Sequence, residues 1–259
     1  MLVSLALLIG LCYPSARTWD ERGDQSLIQE QLSYSMRYGS FHAGEFNTEV
    51  LRTSEGRITL KATMRTPALY RRFFWADNSY LSEVDTALVP RRVVKKIRQK
   101  NIAHTIEYVF DPLKGTAKTT DGREWPAPQE TRDILSLVYH LRTRPLARGE
   151  KRVYVLDGEG LTWRVTAENL GPEKVDVPAG KYTAHKILLR TVGGTSPGWR
   201  AWKTDILTNR LAGATSGLFI WISTSKGRVP VQMVFPSSPF DLRMTLERSS
   251  GTSLPGEGR

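Results

Sequence analysis

The chain has 259 residues, of which 40% are hydrophobic and 24% charged, and its formal net charge is +11. This balance is typical of a globular fold and excludes a chain that is disordered along its whole length. The basic excess favours anionic partners such as phospholipid headgroups or envelope polymers, and it also fits a role in solubility alone.

The N-terminal segment predicts export. Leu2 to Cys12 is almost entirely apolar, and small residues follow at Ser15 and Ala16. Such a core is too short to span a membrane, which needs about 20 residues, and its ending is typical of a signal-peptide cleavage site. We therefore expect residues 1–16 to be a signal peptide, truncated at its start because no basic residue precedes the core, and the mature protein to lie in the periplasm.

Cys12 is the only cysteine of the chain. A lipid-acceptor cysteine follows a small residue, whereas Leu11 precedes Cys12, so lipid anchoring is disfavoured. Cleavage after residue 16 would leave a mature chain that can form neither a disulfide nor a cysteine-based zinc site.

Beyond the signal peptide, the polar residues 17–30 predict a linker, and an alternation of period two begins at Leu32. Each alternating segment has one apolar and one polar face, as strands of antiparallel sheets do. The apolar members are Leu32, Tyr34, Met36 and Tyr38; Ile58, Leu60, Ala62 and Met64; Ile102, Ile106, Tyr108 and Phe110; Leu161, Trp163, Val165 and Ala167; Val229, Val231, Met233 and Phe235; and Phe240, Leu242, Met244 and Leu246.

One segment changes to helical spacing. Between about residues 130 and 143 the apolar residues recur every three or four positions, with Thr131 as a suitable N-cap and Pro145 as a stop. The sequence therefore predicts an all-β, mainly antiparallel fold: a large, strongly curved sheet or half-barrel with one principal helix packed on it. We expect a single domain over residues 31–248 and a disordered tail over residues 249–259.

Signatures of catalysis are missing from the sequence. It contains no G-x-S-x-G, H-E-x-x-H or Walker motif, and its four histidines are not at metal-ligand spacing. His104 is interpreted as a half-buried strand residue, and a pair formed by Asp133 and His140 lacks an activated nucleophile. We expect no catalytic residue, no metal and no cofactor, and a protein that is not an enzyme.

A basic run offers the first candidate surface. It comprises Arg91, Arg92, Lys95, Lys96, Arg98 and Lys100. Two interpretations remain open: a solvated strand face, and a contact face for an anionic membrane surface or envelope polymer. Binding of single-stranded nucleic acid uses interleaved aromatic residues, and none lies in this run, so no nucleic-acid partner is expected.

An apolar groove beneath the helix is the second candidate site, and plain core packing is the alternative. The candidate ligand-binding residues are Leu60, Tyr108, Ile134, Leu137, Val138, Leu141, Trp163 and Trp221. A curved sheet covered by one helix leaves apolar space, and an acyl chain that fills it gains roughly 0.8 kcal/mol per buried methylene.

Several segments in a fixed order resemble a bacterial exported family known as domain-of-unknown-function family 3108. They read YSMRYG at 34–39, with AGE at 43–45; RDILSLVYHLR at 132–142, with PL at 145–146 and Gly149; VPAGKY at 177–182; and IWIS at 220–223, with RVPV at 228–231. The resemblance covers about residues 30–248. It implies an envelope protein with a bent antiparallel sheet around a helix, similar to the half-barrels of outer-membrane lipoprotein carriers, and it implies no established activity.

Three functional hypotheses follow. The first is a non-catalytic envelope protein that binds an apolar or lipid-like ligand between sheet and helix. The second is a structural or interaction protein of envelope assembly with a packed core and no ligand. The third is a hydrolase that acts on an envelope polymer through an unrecognised site.

Overall fold

One antiparallel sheet of fifteen strands dominates the computed structural model. The structure describes residues 17–19, 25–53, 56–71, 75–99, 102–160, 162–192, 207–208, 211 and 217–251, with side chains described from residue 29 onward. The strands are Arg17–Trp19 (β1), Gln25–Tyr38 (β2), Phe41–Thr53 (β3), Ile58–Arg65 (β4), Asp77–Val84 (β5), Pro90–Gln99 (β6), Ile102–Asp111 (β7), Thr116–Thr119 (β8), Glu124–Pro126 (β9), Lys151–Asp157 (β10), Thr162–Val177 (β11), Gly180–Thr191 (β12), Leu218–Ser223 (β13), Pro230–Phe235 (β14) and Leu242–Gly251 (β15). An α-helix, Ile134–Thr143 (α1), lies between β9 and β10 in the chain, and a short 3-10 helix spans Ala68–Tyr70.

The strand order brings the two ends of the described chain together in the middle of the sheet. The order is β10-β11-β12-β13-β14-β15-β2-β3-β4-β5-β6-β7-β8-β9, and β1 pairs with β2. The last strand, β15, pairs antiparallel with β2. Strands β10 and β9 are the two ends of this order, and the sheet is not closed between them.

The alternation predicted from the sequence matches the burial of β4, whereas Phe240, predicted on an apolar strand face, precedes β15 and is 46% exposed. In β4, Ile58, Leu60, Ala62 and Met64 are buried, and the residues between them are half-buried. Successive side chains of a strand point to opposite faces, so one face of β4 enters the core. The predicted fold class, an antiparallel sheet with one principal helix, is confirmed.

The sheet bends around α1. The helix contacts β10, at one end of the strand order, and also β4 and β5, which lie beyond β2. Neighbouring strands are about 4.8 Å apart, so a flat sheet would hold β10 and β4 much too far apart for one helix to touch both. The helix therefore lies on the concave face, and most of the core is between helix and sheet.

Three boundaries differ from the sequence prediction. Strand β2 begins at Gln25, so residues 25–30 are strand and not linker. Strand β15 extends to Gly251, past the predicted start of the tail. The N-cap of α1 is Asp133 and not Thr131.

Two of these differences have a visible cause, one of them distant in the sequence and one local. Glu30 looks like a linker residue because its partner, Arg142, is far away in the sequence. Asp133 caps the helix because its side chain accepts the backbone N–H groups of Leu135 and Ser136. Residues 1–16 and 252–259, with the predicted signal peptide and most of the predicted tail, lie outside the described residues.

No stretch of helix within the described ranges has the length and apolarity that a transmembrane helix requires.

A candidate ligand cavity beneath the helix

The N-terminal end of α1 is attached to the sheet by Asp133. One carboxylate oxygen of Asp133 accepts the first free N–H groups of the helix, and the other accepts the Ser82 hydroxyl of β5 at 2.6 Å. Beside it, the guanidinium of Arg132 donates to the carbonyl oxygen of Leu88 at 2.5 Å. These bonds satisfy donors that a helix leaves unpaired at its start, and they hold this end against β5.

The C-terminal end of α1 is attached by a buried ion pair, here called the helix-anchor cluster: Glu30, Tyr139, Arg142 and the carbonyl groups of Gly227 and Arg228. Arg142 donates to both carboxylate oxygens of Glu30, at 2.8 and 2.5 Å. The side chains of Arg142 and Glu30 are 0% and 1% exposed. The Tyr139 hydroxyl donates to Glu30 at 2.9 Å, and Arg142 also donates to the two carbonyl oxygens.

The charges of the helix-anchor cluster compensate each other. Burial alone would lower the pKa of Arg142, but the hydrogen bonds from Arg142 to Glu30 raise its pKa above the ordinary value. Burial also raises the pKa of Tyr139 and of the neighbouring Tyr34. The guanidinium therefore stays charged and the two phenols stay neutral at any physiological pH.

Between the two attachments lies an apolar cavity of about 50 Å³. Its lining surface is almost entirely apolar, and it opens partly to solvent beside the helix. The helix contributes Ile134, Leu135, Val138 and Tyr139, and the other lining residues are Leu32, Tyr34, Phe46, Thr48, Leu207, Leu218, Pro230, Met233, Phe235 and Met244. An apolar void of this kind is a poor site for water and a favourable one for a hydrocarbon group.

A second buried polar group, here called the sheet-closure cluster, comprises Tyr108, Trp125 and Asp157. Asp157 of β10 accepts the Tyr108 hydroxyl of β7 at 2.5 Å and the Trp125 indole N–H of β9 at 3.0 Å. These strands come from opposite ends of the strand order. Asp157 therefore connects the two ends of the sheet through side chains.

The surroundings of Asp157 shift its protonation. Burial raises the pKa of Asp157 to about 6, although nearby Lys95 and the Tyr108 hydrogen bond act in the opposite direction. Lys95 forms a buried ion pair with Glu159 at 2.8 Å. The adjacent cavity, lined in part by Lys95, Asp157 and Trp163, has a volume of about 10 Å³, which is room for a single water. Such space is too small for an organic substrate.

The sequence candidates divide into three groups. Ile134 and Val138 line the apolar cavity. Leu60, Leu137 and Leu141 are buried in the main core but do not line the apolar cavity. They are ordinary packing residues that complete the contact between helix and sheet.

The three aromatic candidates lie elsewhere. Trp163 is buried beside the smaller cavity. Tyr108 belongs to a separate apolar cluster, where its ring packs on Trp125 with centroids 5.2 Å apart. Trp221 donates its indole N–H to Glu173 at 2.7 Å and lies 5.0 Å from the Lys186 ammonium, on the sheet face opposite Ile220. The expectation of one groove shared with the helix was therefore wrong for Tyr108 and Trp221, whereas Trp163 shares the smaller cavity with Ile134 of α1.

The basic run is not one exposed face. Lys95 points inward and is buried, because a strand directs alternate residues to opposite faces. Arg91 pairs with Asp85, and Arg92 pairs with Glu83 and Glu107 on the neighbouring strands. The sequence showed no acid within the run, but neighbouring strands supply the carboxylates.

The remaining members of the run are Lys96 and Arg98, which are exposed, and Lys100, which lies outside the described residues. The predicted contact face is therefore much reduced.

The cavity residues that were missed do have a signal in the sequence. Leu32, Tyr34, Met233, Phe235 and Met244 all belong to the apolar faces of alternating segments. The alternation shows that they point inward, but only the strand order places β2, β14 and β15 next to one another beneath α1.

Within the part of the chain that the structure describes, no three His, Cys, Asp or Glu side chains are grouped so that they could hold a metal ion.

The fold and the cavity define a class of protein: a half-barrel-like antiparallel sheet with the helix α1 on its concave face. The chain belongs to the family described as protein of unknown function DUF3108, whose model matches residues 33–247. This confirms the family resemblance of the sequence. None of the curated proteins matches this chain.

Two solved structures are similar to it. The beta-barrel-like protein of the domain of unknown function DUF1849 from Brucella abortus has a TM-score of 0.55 at 11% identity, and the match covers 86% of this chain and 98% of that chain. A DUF1089 family protein from Pseudomonas aeruginosa has a TM-score of 0.35 at 10% identity, over 88% of this chain and 95% of that chain. The first likeness shows a shared fold, and the second is too weak to support an argument.

Proposed function

We propose that this protein is a non-catalytic binding protein that takes an apolar chain, such as a single acyl chain, between α1 and the concave face of its sheet. We also propose that it acts in the periplasm after export, on the strength of the apolar segment at the N-terminus of the sequence.

The observation that carries the proposal is the apolar cavity of about 50 Å³ under the helix. Packed cores contain few voids larger than a water molecule, so a void with apolar walls at the surface of a domain is a candidate site. It is large enough for the end of a hydrocarbon chain.

The walls of the cavity can adjust to a longer segment. Met233 and Met244 line it, and methionine side chains adapt their shape at low energetic cost. The helix is tied down at its two ends, by Asp133 and by Arg142, so the middle turn with Val138 rests directly over the cavity. Each further buried methylene would gain roughly 0.8 kcal/mol.

The second candidate function is a structural or interaction protein with no ligand. The small volume of the cavity favours this second function. A cavity of about 150 Å³ holds benzene, and the cavity beneath α1 has about a third of that volume. In this role the helix-anchor cluster would serve only to fix the packing of helix on sheet.

Ligand binding separates the two candidates. We expect organic extracts of the natively purified full chain to contain a lipid by mass spectrometry, and cis-parinaric acid to fluoresce on binding to the delipidated protein. Val138→Phe, which fills the cavity, should abolish the fluorescence, and Val153→Phe on exposed β10 should retain it. Binding that is equal in the two variants, or no binding by the wild type, would leave the structural role.

A further inference from the structure

Two turns meet at one end of the sheet and expose aromatic side chains there. The β2–β3 turn and the β14–β15 loop are joined by a hydrogen bond from the Gly39 N–H to the Asp241 carbonyl oxygen, 3.3 Å long. Phe41, in the first, is 63% exposed, and Phe240, in the second, is 46% exposed. The Phe240 ring also stands edge-on to the Tyr38 ring at 5.7 Å, which fixes its position.

A third segment, the connection between β4 and β5, lies at the same end of the sheet as the β2–β3 turn. In it, the Tyr70 ring packs on His42 of β3, with centroids 5.8 Å apart. Next to Tyr70, Leu69 is 78% exposed, and Trp75 is 36% exposed. We call the four exposed residues Phe41, Leu69, Trp75 and Phe240 the aromatic tip.

Exposed apolar residues of this size are common singly but not in a group. A contiguous exposed apolar surface marks a site of contact with a partner. The aromatic tip gathers residues from three separate parts of the sequence, so its grouping is a property of the fold.

Basic side chains accompany the tip. Arg37 of β2 and Arg243 of β15 are directly opposite each other on adjacent strands, and both are exposed. Two like charges in this position repel, which costs stability unless an anion lies between them. Arg71 is already paired with Asp77, whose carboxylate accepts the Arg71 guanidinium and the Trp75 indole N–H at 2.9 and 3.1 Å, so it does not add to the free positive charge.

We propose that the aromatic tip is a docking surface for an anionic lipid bilayer. Tryptophan favours the boundary between hydrocarbon and headgroups, because its ring is apolar and its N–H is polar, and phenylalanine and leucine side chains bury themselves at the acyl side of that boundary. Phe41, Leu69 and Phe240 enter this layer, and Arg37 and Arg243 face headgroup phosphates. The charge of the lipid relieves the repulsion between the two arginines.

This surface is independent of the cavity beneath α1 and replaces the basic run of β6 as the membrane contact. In that run Lys95 is buried and Arg91 and Arg92 are already paired with carboxylates. The aromatic tip combines exposed bases with exposed rings, as peripheral membrane contacts do.

Flotation of the full chain with vesicles tests the proposal. We expect the wild type to float with vesicles of phosphatidylcholine and phosphatidylglycerol and to stay behind with phosphatidylcholine alone. The double variants Phe41→Ser/Phe240→Ser and Arg37→Gln/Arg243→Gln should each reduce binding roughly tenfold or more, and added salt should weaken the wild type.

Matched controls exclude a general loss of apolar surface or charge. Leu113→Ser/Val153→Ser removes exposed apolar side chains elsewhere, and Lys118→Gln/Lys174→Gln removes two exposed lysines. Both should bind as the wild type does. If a double variant of the tip unfolds by circular dichroism, the single variant Phe41→Ser replaces it, because that ring is mostly in solvent. Equal flotation of tip and control variants overturns the proposal. A wild type that does not bind anionic vesicles also overturns it. A solution dimer that Phe41→Ser/Phe240→Ser breaks would assign the tip to a second copy of the chain instead.

Discussion

The pair of Glu30 and Arg142 shows how much a single buried charge depends on its partner. Removing water from two charges costs several kcal/mol per ion, and this cost is recovered only when the geometry is good and the remaining hydrogen bonds are made. Here two nitrogens of the Arg142 guanidinium donate to the Glu30 carboxylate. The Tyr139 hydroxyl and two backbone carbonyl groups make further hydrogen bonds to the pair. Breaking one side would leave an uncompensated charge in the core.

We therefore expect Glu30→Gln to lower the free energy of unfolding by about 3–5 kcal/mol. Glu150→Gln is the control, because the pair of Glu150 and Arg152 is exposed and screened by solvent, so its loss should change the free energy of unfolding little. Urea denaturation followed by circular dichroism measures both. Similar small losses in the two variants would mean that water reaches Arg142 in the folded protein.

At the scale of the element, the stability of α1 depends on its N-cap, because the helix is short. The helix has ten residues, which is too short to be stable alone in water. Its first turn is satisfied by Asp133, and the same carboxylate accepts the Ser82 hydroxyl of β5. One side chain thus both starts the helix and positions it on the sheet.

Asp133→Ala should cost about 2 kcal/mol or more, because it removes the cap and leaves the Ser82 hydroxyl without this partner. Asp133→Asn should cost clearly less, since asparagine is an equally good N-cap. Thermal and urea unfolding would compare the two. Equal losses would indicate that the charge of Asp133, and not its capping bonds, holds the helix.

Across the whole molecule, Asp157 connects strands from opposite ends of the sheet, and its protonation links this connection to pH. Burial raises the pKa of Asp157 to about 6, whereas an unfolded aspartate has a pKa of about 3.9. The folded state therefore binds the proton more tightly. Its contribution to stability is complete below about pH 4 and is lost as the pH rises through 6.

The prediction is a difference between variant and wild type. The free energy of unfolding of Asp157→Asn, relative to the wild type, should increase by roughly 3 kcal/mol between about pH 4 and 7. Urea denaturation at a series of pH values measures it, with Asp176→Asn on an exposed strand position as the control. A difference that stays constant with pH would show that folding does not raise the pKa of Asp157.

His140 gives the opposite slope over the same range. Burial, followed by the charges of Arg132 and Arg144, lowers the pKa of His140 to about 4, against an ordinary value of about 6.5. The unfolded chain binds this proton more tightly, so stability is lost as the pH falls from about 6.5 through 4. The free energy of unfolding of His140→Gln, relative to the wild type, should therefore decrease as the pH rises over this range, in the same denaturation series.

The sequence by itself determined the helix and six of the strands, together with the direction in which most of their side chains point. Alternation of period two depends only on the geometry of a strand, so Tyr34, Met233 and Met244 could be recognised as inward-facing without any knowledge of their neighbours. The family also followed from the order of short segments along the chain, because that order is a property of the sequence alone.

Only the tertiary structure decided which inward residues meet. The strand order puts β2 beside β15 and bends the sheet around α1, so the cavity is built from residues far apart in the chain. The burial of Glu30 and Lys95 was hidden for the same reason, since their partners Arg142 and Glu159 are 112 and 64 residues away. From the local sequence a charged residue is predicted to be exposed. It can be buried only when a partner of opposite charge, here distant in the sequence, compensates its charge.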